Sequence, residues 1–172
     1  GRVEVIDAYL DHGRIQGGET KTMVDAAYAA WWADRQAGRA TVLVSDSNES
    51  VQALNRRART DLILDGAVDA RREVELHDGT HVAVGDTVIT RHNDRRLRAG
   101  RGWVRNGDRW TVTEVQGDGS LTLRRAGRKW GASVVLPADY GAEHLDLGYA
   151  VTSYRAQGIT VQTSHVLVDA TM

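Results

Sequence analysis

Apolar residues recur at helical spacing between Thr22 and Gln36 (Met23, Ala26, Ala27, Ala30, Trp31). This predicts an amphipathic helix, with Thr22 and Asp25 as a capping pair and Gly38 as its stop. The run TVLVSD from Thr41 has the short, β-branched character of a buried parallel strand, and Asp46 or Ser47 can cap a second helix through Val51, Leu54 and Ala58. Helix, strand, helix in that order predicts an α/β part built on a parallel sheet.

From about Gly66 to Pro137 the pattern changes to short alternating runs: EVEL, DTVITR, WTVTEV, SLTLRR and SVVLP. The pairs Asp78-Gly79, Asn106-Gly107 and Asp118-Gly119 punctuate them and supply the positive φ angles that tight hairpins need. Five short strands with such turns predict a small antiparallel barrel of the SH3-like kind. After Pro137 the α/β texture returns, with LGYAVTSYRAQG read as a short helix closed by Gly158 and SHVLVD as another apolar strand. The expected organisation is an α/β domain in residues 1–66 and 138–172, interrupted by the barrel in residues 67–137.

At 172 residues the chain has room for one domain carrying a small insertion, and a two-domain motor cannot fit. An apolar share of 41% with 26% charged residues belongs to a folded chain rather than a disordered one. Net charge is only −1, so no global basicity points to nucleic acid, but all basic residues except Lys21 and Lys129 are arginines. Arginine suits planar, bidentate phosphate contacts, although a GC-rich genome produces the same bias. The absence of cysteine excludes disulfides, thiolate metal sites and cysteine nucleophiles. With no long apolar run and no signal-peptide pattern, a cytoplasmic location in a bacterium, away from membranes, is expected.

Three stretches carry candidate chemistry. GRIQGGETKT, residues 13–22, resembles a phosphate loop, but Glu19 and Thr20 separate Gly18 from Lys21, so the P-loop spacing fails and an ordinary loop is expected. Between Arg91 and Arg109 lie seven arginines (91, 95, 96, 98, 101, 105, 109) against Asp94 and Asp108, with Trp103 and Trp110 interleaved. Such a stretch is either a single-strand-binding surface, with guanidinium groups on phosphates and rings under bases, or a solvated hairpin whose tryptophans fill the barrel. The third stretch is SYRAQGIT, residues 153–160. Arg155 offers a fork to phosphate, Thr152 a hydroxyl to a nucleic-acid backbone, and Gly158 a close approach where α/β folds gather ligands. Alternatively Gly158 is only a left-handed helix cap, with Gln157 facing water. The six histidines show neither metal-ligand spacing nor a nucleophile partner, so no metal site and no catalytic residue are expected.

LGYAVTSYRAQGITVQTSHVLVD resembles motif V of superfamily 1 helicases of the RecD-like branch, whose pattern is approximately Tyr-Ala-x-Thr-x-His-Lys/Arg-Ala/Ser-Gln-Gly-x-Thr. Tyr149, Ala150, Thr152, Arg155, Ala156, Gln157, Gly158 and Thr160 match, whereas Ser153-Tyr154, Gln162 and Ser164 depart. VLVSDSNESVQALNRRAR resembles the motif IV region, with Asn55 in its Leu-Asn pair. The 67–137 stretch resembles the SH3-like insertion of RecD-type helicases and of TraI/TrwC-type (MobF) conjugative relaxases, the actinobacterial group above all.

The resemblance implies a partial RecA-like, P-loop NTPase-type domain: the second motor domain of an ATP-dependent 5′-to-3′ DNA helicase. Gln157, Gly158 and Arg155 would line the ATP cleft, while Thr152, Tyr154 and Thr160 would touch single-stranded DNA. Arg91, Arg95, Arg96, Arg98, Arg105 and Trp103 would guide the strand, and Asn55 would shape the motif IV surface. ATP and Mg²⁺ would serve the full-length parent together with its first motor domain, with no tight binding to this chain. Lacking Walker A, Walker B and motif VI, the chain is not expected to hydrolyse ATP alone. The competing expectation is a non-catalytic nucleic-acid-binding module or helicase remnant.

Overall fold

The computed structural model describes residues 6–7, 17–159 and 161–167, with only the backbone course for 6–7 and 17–20. The chain divides into two compact units: residues up to 54 together with those from 149 onward, and residues 55–148.

The first unit holds a four-stranded parallel sheet. Its strands are β1 (Ile6–Asp7), β2 (Thr41–Ser45), β12 (Ala150–Thr152) and β13 (Thr163–Leu167), in the order β1-β13-β2-β12. Every residue of β2 is buried, as the apolar run TVLVS requires of a central parallel strand. Helix α1 runs Gly17–Gln36, so Gly17–Lys21 is helical rather than looped, and Thr22 and Asp25 lie inside the helix instead of capping it. Its C-terminus lies where the sequence pattern predicts. Gly38 takes φ 82°, its N–H donates to the Arg35 carbonyl and the Arg39 N–H to the Asp34 carbonyl, both at 3.0 Å, closing the helix in a Schellman turn. Helix α2 (Asn48–Asp65) is capped by Ser47, whose Oγ accepts from the Ser50 N–H at 3.1 Å.

Asp34 pins α1 to the sheet. Its Oδ2 accepts from Thr163 Oγ1 at 2.7 Å and lies 2.8 Å from His165 Nε2, while its Oδ1 accepts from Arg39 Nη1 at 2.8 Å. Burial acts to raise the Asp34 pKa, but the hydrogen bonds from Thr163, His165 and Arg39 outweigh it and hold the group below its ordinary 3.8. A carboxyl depressed on folding contributes stability that is complete above 3.8 and lost as pH falls through the lower folded value. Asp34→Asn is therefore expected to cost on the order of 1–3 kcal/mol at pH 7. The gap to the parent should close below pH 3.8 in pH-dependent urea melts, and a pH-independent gap would refute a charge-based role.

The second unit is built on a five-stranded antiparallel sheet of β5 (Thr87–Thr90), β8 (Arg109–Val115), β9 (Leu121–Arg125), β10 (Ser133–Leu136) and β11 (Leu145–Leu147), in the order β10-β9-β8-β5-β11. Two hairpins accompany it: β3 (Asp69–Glu75) with β4 (His81–Val84), and β6 (Asp94–Ala99) with β7 (Gly102–Val104). Gly79, Gly107 and Gly119 have φ of 84°, 97° and 88°, the turn conformation their Asx-Gly pairs predict. Pro137 does not end this unit. Beyond it come α3 (Ala138–His144) and β11, which pairs antiparallel with β5 through Leu145, Asp146 and Leu147. The core gathers Val88, Val104, Trp110, Val112, Leu121, Leu123, Leu136 and Leu145, all fully buried.

Candidate nucleic-acid interface

In the first unit, β12 pairs parallel with β2 so that Thr152 lies opposite Ser45. The loops following Thr152 and Ser45 therefore leave the same carboxyl edge of the sheet, where open α/β sheets bind ligands. The stretch read as one helix is divided here. Ala150–Thr152 is strand, because its apolar residues pair with β2, and only α4 (Ser153–Ala156) is helical. Thr152 Oγ1 accepts from the Arg155 N–H at 3.3 Å, so this hydroxyl caps α4. Tyr154, Arg155, Gln157 and Gly158 are exposed, Tyr154 at 81%. Thr160 lies outside the described residues.

Gly158 is not a left-handed cap. It is absent from the positive-φ glycines, Gln157 before it is right-handed helical (φ −62°, ψ −26°), and a Cβ added at Gly158 would meet nothing within 4 Å. Neither backbone conformation nor packing among the described residues demands glycine here, which leaves an open approach on the exposed turn. Gln162, a departure from the motif pattern, ties the start of β13 to the residue before β2. Its Oε1 accepts from the Ala40 N–H and its own N–H donates to the Ala40 carbonyl, each at 2.8 Å. Asn55 is buried, at 6% exposure.

In the second unit the arginine stretch separates into two groups. Arg91 Nε donates to Asp146 Oδ2 at 2.8 Å, tying the end of β5 to β11, and His77 Nε2 meets the other oxygen at 2.6 Å. Arg96 forms a fork with Asp94, both contacts at 3.1 Å, which holds the Asp94 carboxyl below the usual carboxylate range. The guanidinium groups of the remaining exposed arginines, 95, 98, 101 and 105, have no carboxylate partner among the described residues, although the Arg105 backbone N–H donates to Asp108 Oδ2. Arg95 and Arg105 lie 5.0 and 4.6 Å from the Trp103 ring centroid, and Arg98 faces Trp103 across the β6–β7 hairpin. The indole thus positions cations through cation–π contacts, rather than offering an unoccupied ring to a base. Trp110 is fully buried, its Nε1 donating to Thr90 Oγ1 at 3.1 Å, so of the two interleaved tryptophans this one is core.

A second cationic loop is not evident from the charge runs of the sequence: Arg128, Lys129 and Trp130, flanked by Gly127 and Gly131, join β9 to β10 and are open to solvent, Trp130 at 83%. The signal that marks it is an aromatic residue directly after two cations in a glycine-bounded turn. No helix among the described residues is long and apolar enough to cross a membrane.

Residues 74–146 match the Rv2311 SH3-like barrel domain, so this part of the chain is an SH3-like barrel joined to a parallel α/β sheet. The chain is similar to the probable conjugal transfer protein TraA of Sinorhizobium fredii, at 29% identity over 98% of its length, and to the multifunctional conjugation protein TraI of Escherichia coli, at 37% over 55%. It also resembles the protein Rv2311 of Mycobacterium tuberculosis, at 38% over 38% of this chain. It spans only 15%, 5% and 37% of those proteins respectively. Among solved structures, that of Bacteroides sp Pif1 in complex with ADP-AlF4 aligns with 90% of this chain and 40% of its own, at 13% identity and a TM-score of 0.45. By sequence, the chain is similar to a short part of the conjugation proteins TraA and TraI.

Proposed function

We propose that this chain is a piece of the second motor domain of an ATP-dependent, RecD-like 5′-to-3′ DNA helicase, within a conjugative relaxase, and that it supplies single-stranded DNA contacts and one wall of the ATP cleft. One observation carries the reading: the motif V residues Thr152 to Gly158 occupy a turn at the carboxyl edge of a parallel sheet, with a glycine that neither backbone conformation nor packing among the described residues requires. Such a residue is understood if something outside the chain approaches it closely. The kinship with TraA and TraI supports the conjugative setting.

On this reading Thr152 and Tyr154 face the DNA track, while Gln157, Gly158 and Arg155 face the nucleotide. One guanidinium, one carboxamide and an open glycine suit contact with a nucleotide's phosphates. Among the described residues, no group of three histidine, aspartate or glutamate side chains could hold Mg²⁺. ATP with Mg²⁺ would supply the conformational cycle when bound, chiefly on the first motor domain, and this chain's part would be to sense that state and alter its hold on DNA. Arg95, Arg98 and Arg105 of the barrel would take backbone phosphates, whereas Arg91 and Arg96 would hold the scaffold.

Fluorescence anisotropy with labelled single-stranded oligonucleotide at several salt concentrations tests this reading. Arg95→Ala with Arg98→Ala is expected to weaken binding and to flatten the salt slope by about 0.7 for each phosphate no longer neutralised. Thr152→Ala should weaken binding with the slope unchanged, since it removes a neutral hydroxyl, and Thr152→Ser should restore it. An absence of binding at low salt would sink the DNA reading.

A further inference from the structure

We propose that the loop joining β9 to β10 is a second contact site for single-stranded nucleic acid, in which a base stacks on the Trp130 indole and the flanking phosphates lie on Arg128, Lys129 and Arg101. This rests on the nucleic-acid reading above and extends it to residues that reading does not use.

Trp130 is 83% exposed and has no aromatic or cation partner among the described residues, in contrast to Trp103, which Arg95 and Arg105 approach. The loop that carries it is held in shape. Arg124 Nε donates to the Arg128 carbonyl at 2.7 Å, the Arg128 N–H to the Arg125 carbonyl at 3.3 Å, and the Ala126 N–H to the Arg109 carbonyl at 3.1 Å. Exposed Arg128 and Lys129 immediately precede the ring, and no acidic residue occurs from Gly119 to Ala138. The loop also borders the cationic β6–β7 hairpin. A Cβ on Gly100 would come within 3.3 Å of Ala132 Cβ, and one on Gly102 within 3.3 Å of Arg125 Nη2. Arg101, between those two glycines, is exposed and without a carboxylate partner among the described residues.

The chemistry favours nucleic acid over a protein partner. An aromatic anchor for a protein sits in an apolar, desolvated patch. Trp130 is instead open to solvent, directly after two exposed cations in a glycine-bounded loop with no acidic residue in it. That combination, an accessible π-face within a cationic surface, is what binds single strands without regard to sequence.

The test measures anisotropy of the 172-residue chain with a labelled dT16 oligonucleotide and with the same oligonucleotide carrying internal abasic sites. If a base stacks on Trp130, Trp130→Ala should weaken dT16 binding roughly 5- to 150-fold. Its salt slope and melting temperature should stay unchanged, and Trp130→Phe should recover most of the loss. The parent should lose similar affinity on the abasic probe, and Trp130→Ala should lose little more there. Unchanged dT16 binding by Trp130→Ala, while Arg95→Ala with Arg98→Ala still lowers the slope, would overturn the stacking site and leave the nucleic-acid reading standing. A Trp130→Ala loss as large on the abasic probe as on dT16 would also overturn stacking. No binding of dT16 by the parent at low salt would overturn both.

Discussion

Asp86→Ala is expected to destabilise the second unit by about 3 kcal/mol, the low end of what breaking a buried ion pair costs. The Asp86 side chain is fully buried, and its Oδ2 accepts from Arg59 Nε at 2.9 Å and from the Ala83 N–H at 2.8 Å. Burial works against the Arg59 charge, but Asp86 and Glu73 outweigh it and hold the guanidinium pKa above its ordinary value. Removing the carboxylate strands a buried N–H and takes one of two acceptors from Arg59. Glu73 Oε2, 2.6 Å from Arg59 Nη2, remains and limits the damage. For a unit of this size the loss corresponds to a melting shift of roughly 12–24 °C. Thermal or urea unfolding followed by circular dichroism reads it, and a transition within a few degrees of the parent's would refute the pair's structural role. Arg59→Met combined with Asp86→Ala should cost less than the two singles together, since neighbours sharing an interaction are not additive.

Gly85→Ala should cost more than its φ angle alone explains. Gly85 has φ 98°, and a Cβ there would lie 2.1 Å from the Ala67 carbonyl oxygen and 3.2 Å from Val68 Cα. Both neighbours are backbone, so no rotamer change relieves the overlap. Gly107 provides the control: its φ is 97°, and a Cβ would meet nothing within 4 Å. Gly107→Ala should therefore cost only the left-handed penalty of about 1–2 kcal/mol. Gly85→Ala adds backbone displacement of about 1–3 kcal/mol on top of it. Equal urea midpoints for the two variants would show that the close approach at Ala67 is not maintained in solution.

The candidate site was legible in proportion to how local its chemistry is. The turn from Thr152 to Gly158 stands out in the sequence through residue types and spacing, and its exposed side chains occupy one short stretch of backbone. That Gly158 is neither left-handed nor packed against any described residue was not legible, because the same Gln-Gly pair serves equally well as a cap. Among the arginines, the charge count could not separate Arg91 from Arg95. The difference is Asp146, which β11 brings beside Arg91 from far along the chain. Trp103 and Trp110 look alike in sequence, and only packing makes Trp110 core.

Local residue order settles whatever depends on a few consecutive residues: the buried strand Thr41–Ser45, a helix cap at Asp46 or Ser47, the Gly38 stop, and the positive-φ glycines after Asp78, Asn106 and Asp118. Backbone conformation at these points follows from steric limits and hydrogen bonds that close within a few residues. Tertiary structure alone decided that Ala150–Thr152 is a strand, that β11 joins the barrel sheet, that Gly85 must lack a side chain, and that Asp86 is buried against Arg59. In each of these the deciding group lies far along the chain. Its contribution is a pairing partner, an excluded volume or the loss of water, none of which exists until the chain has folded.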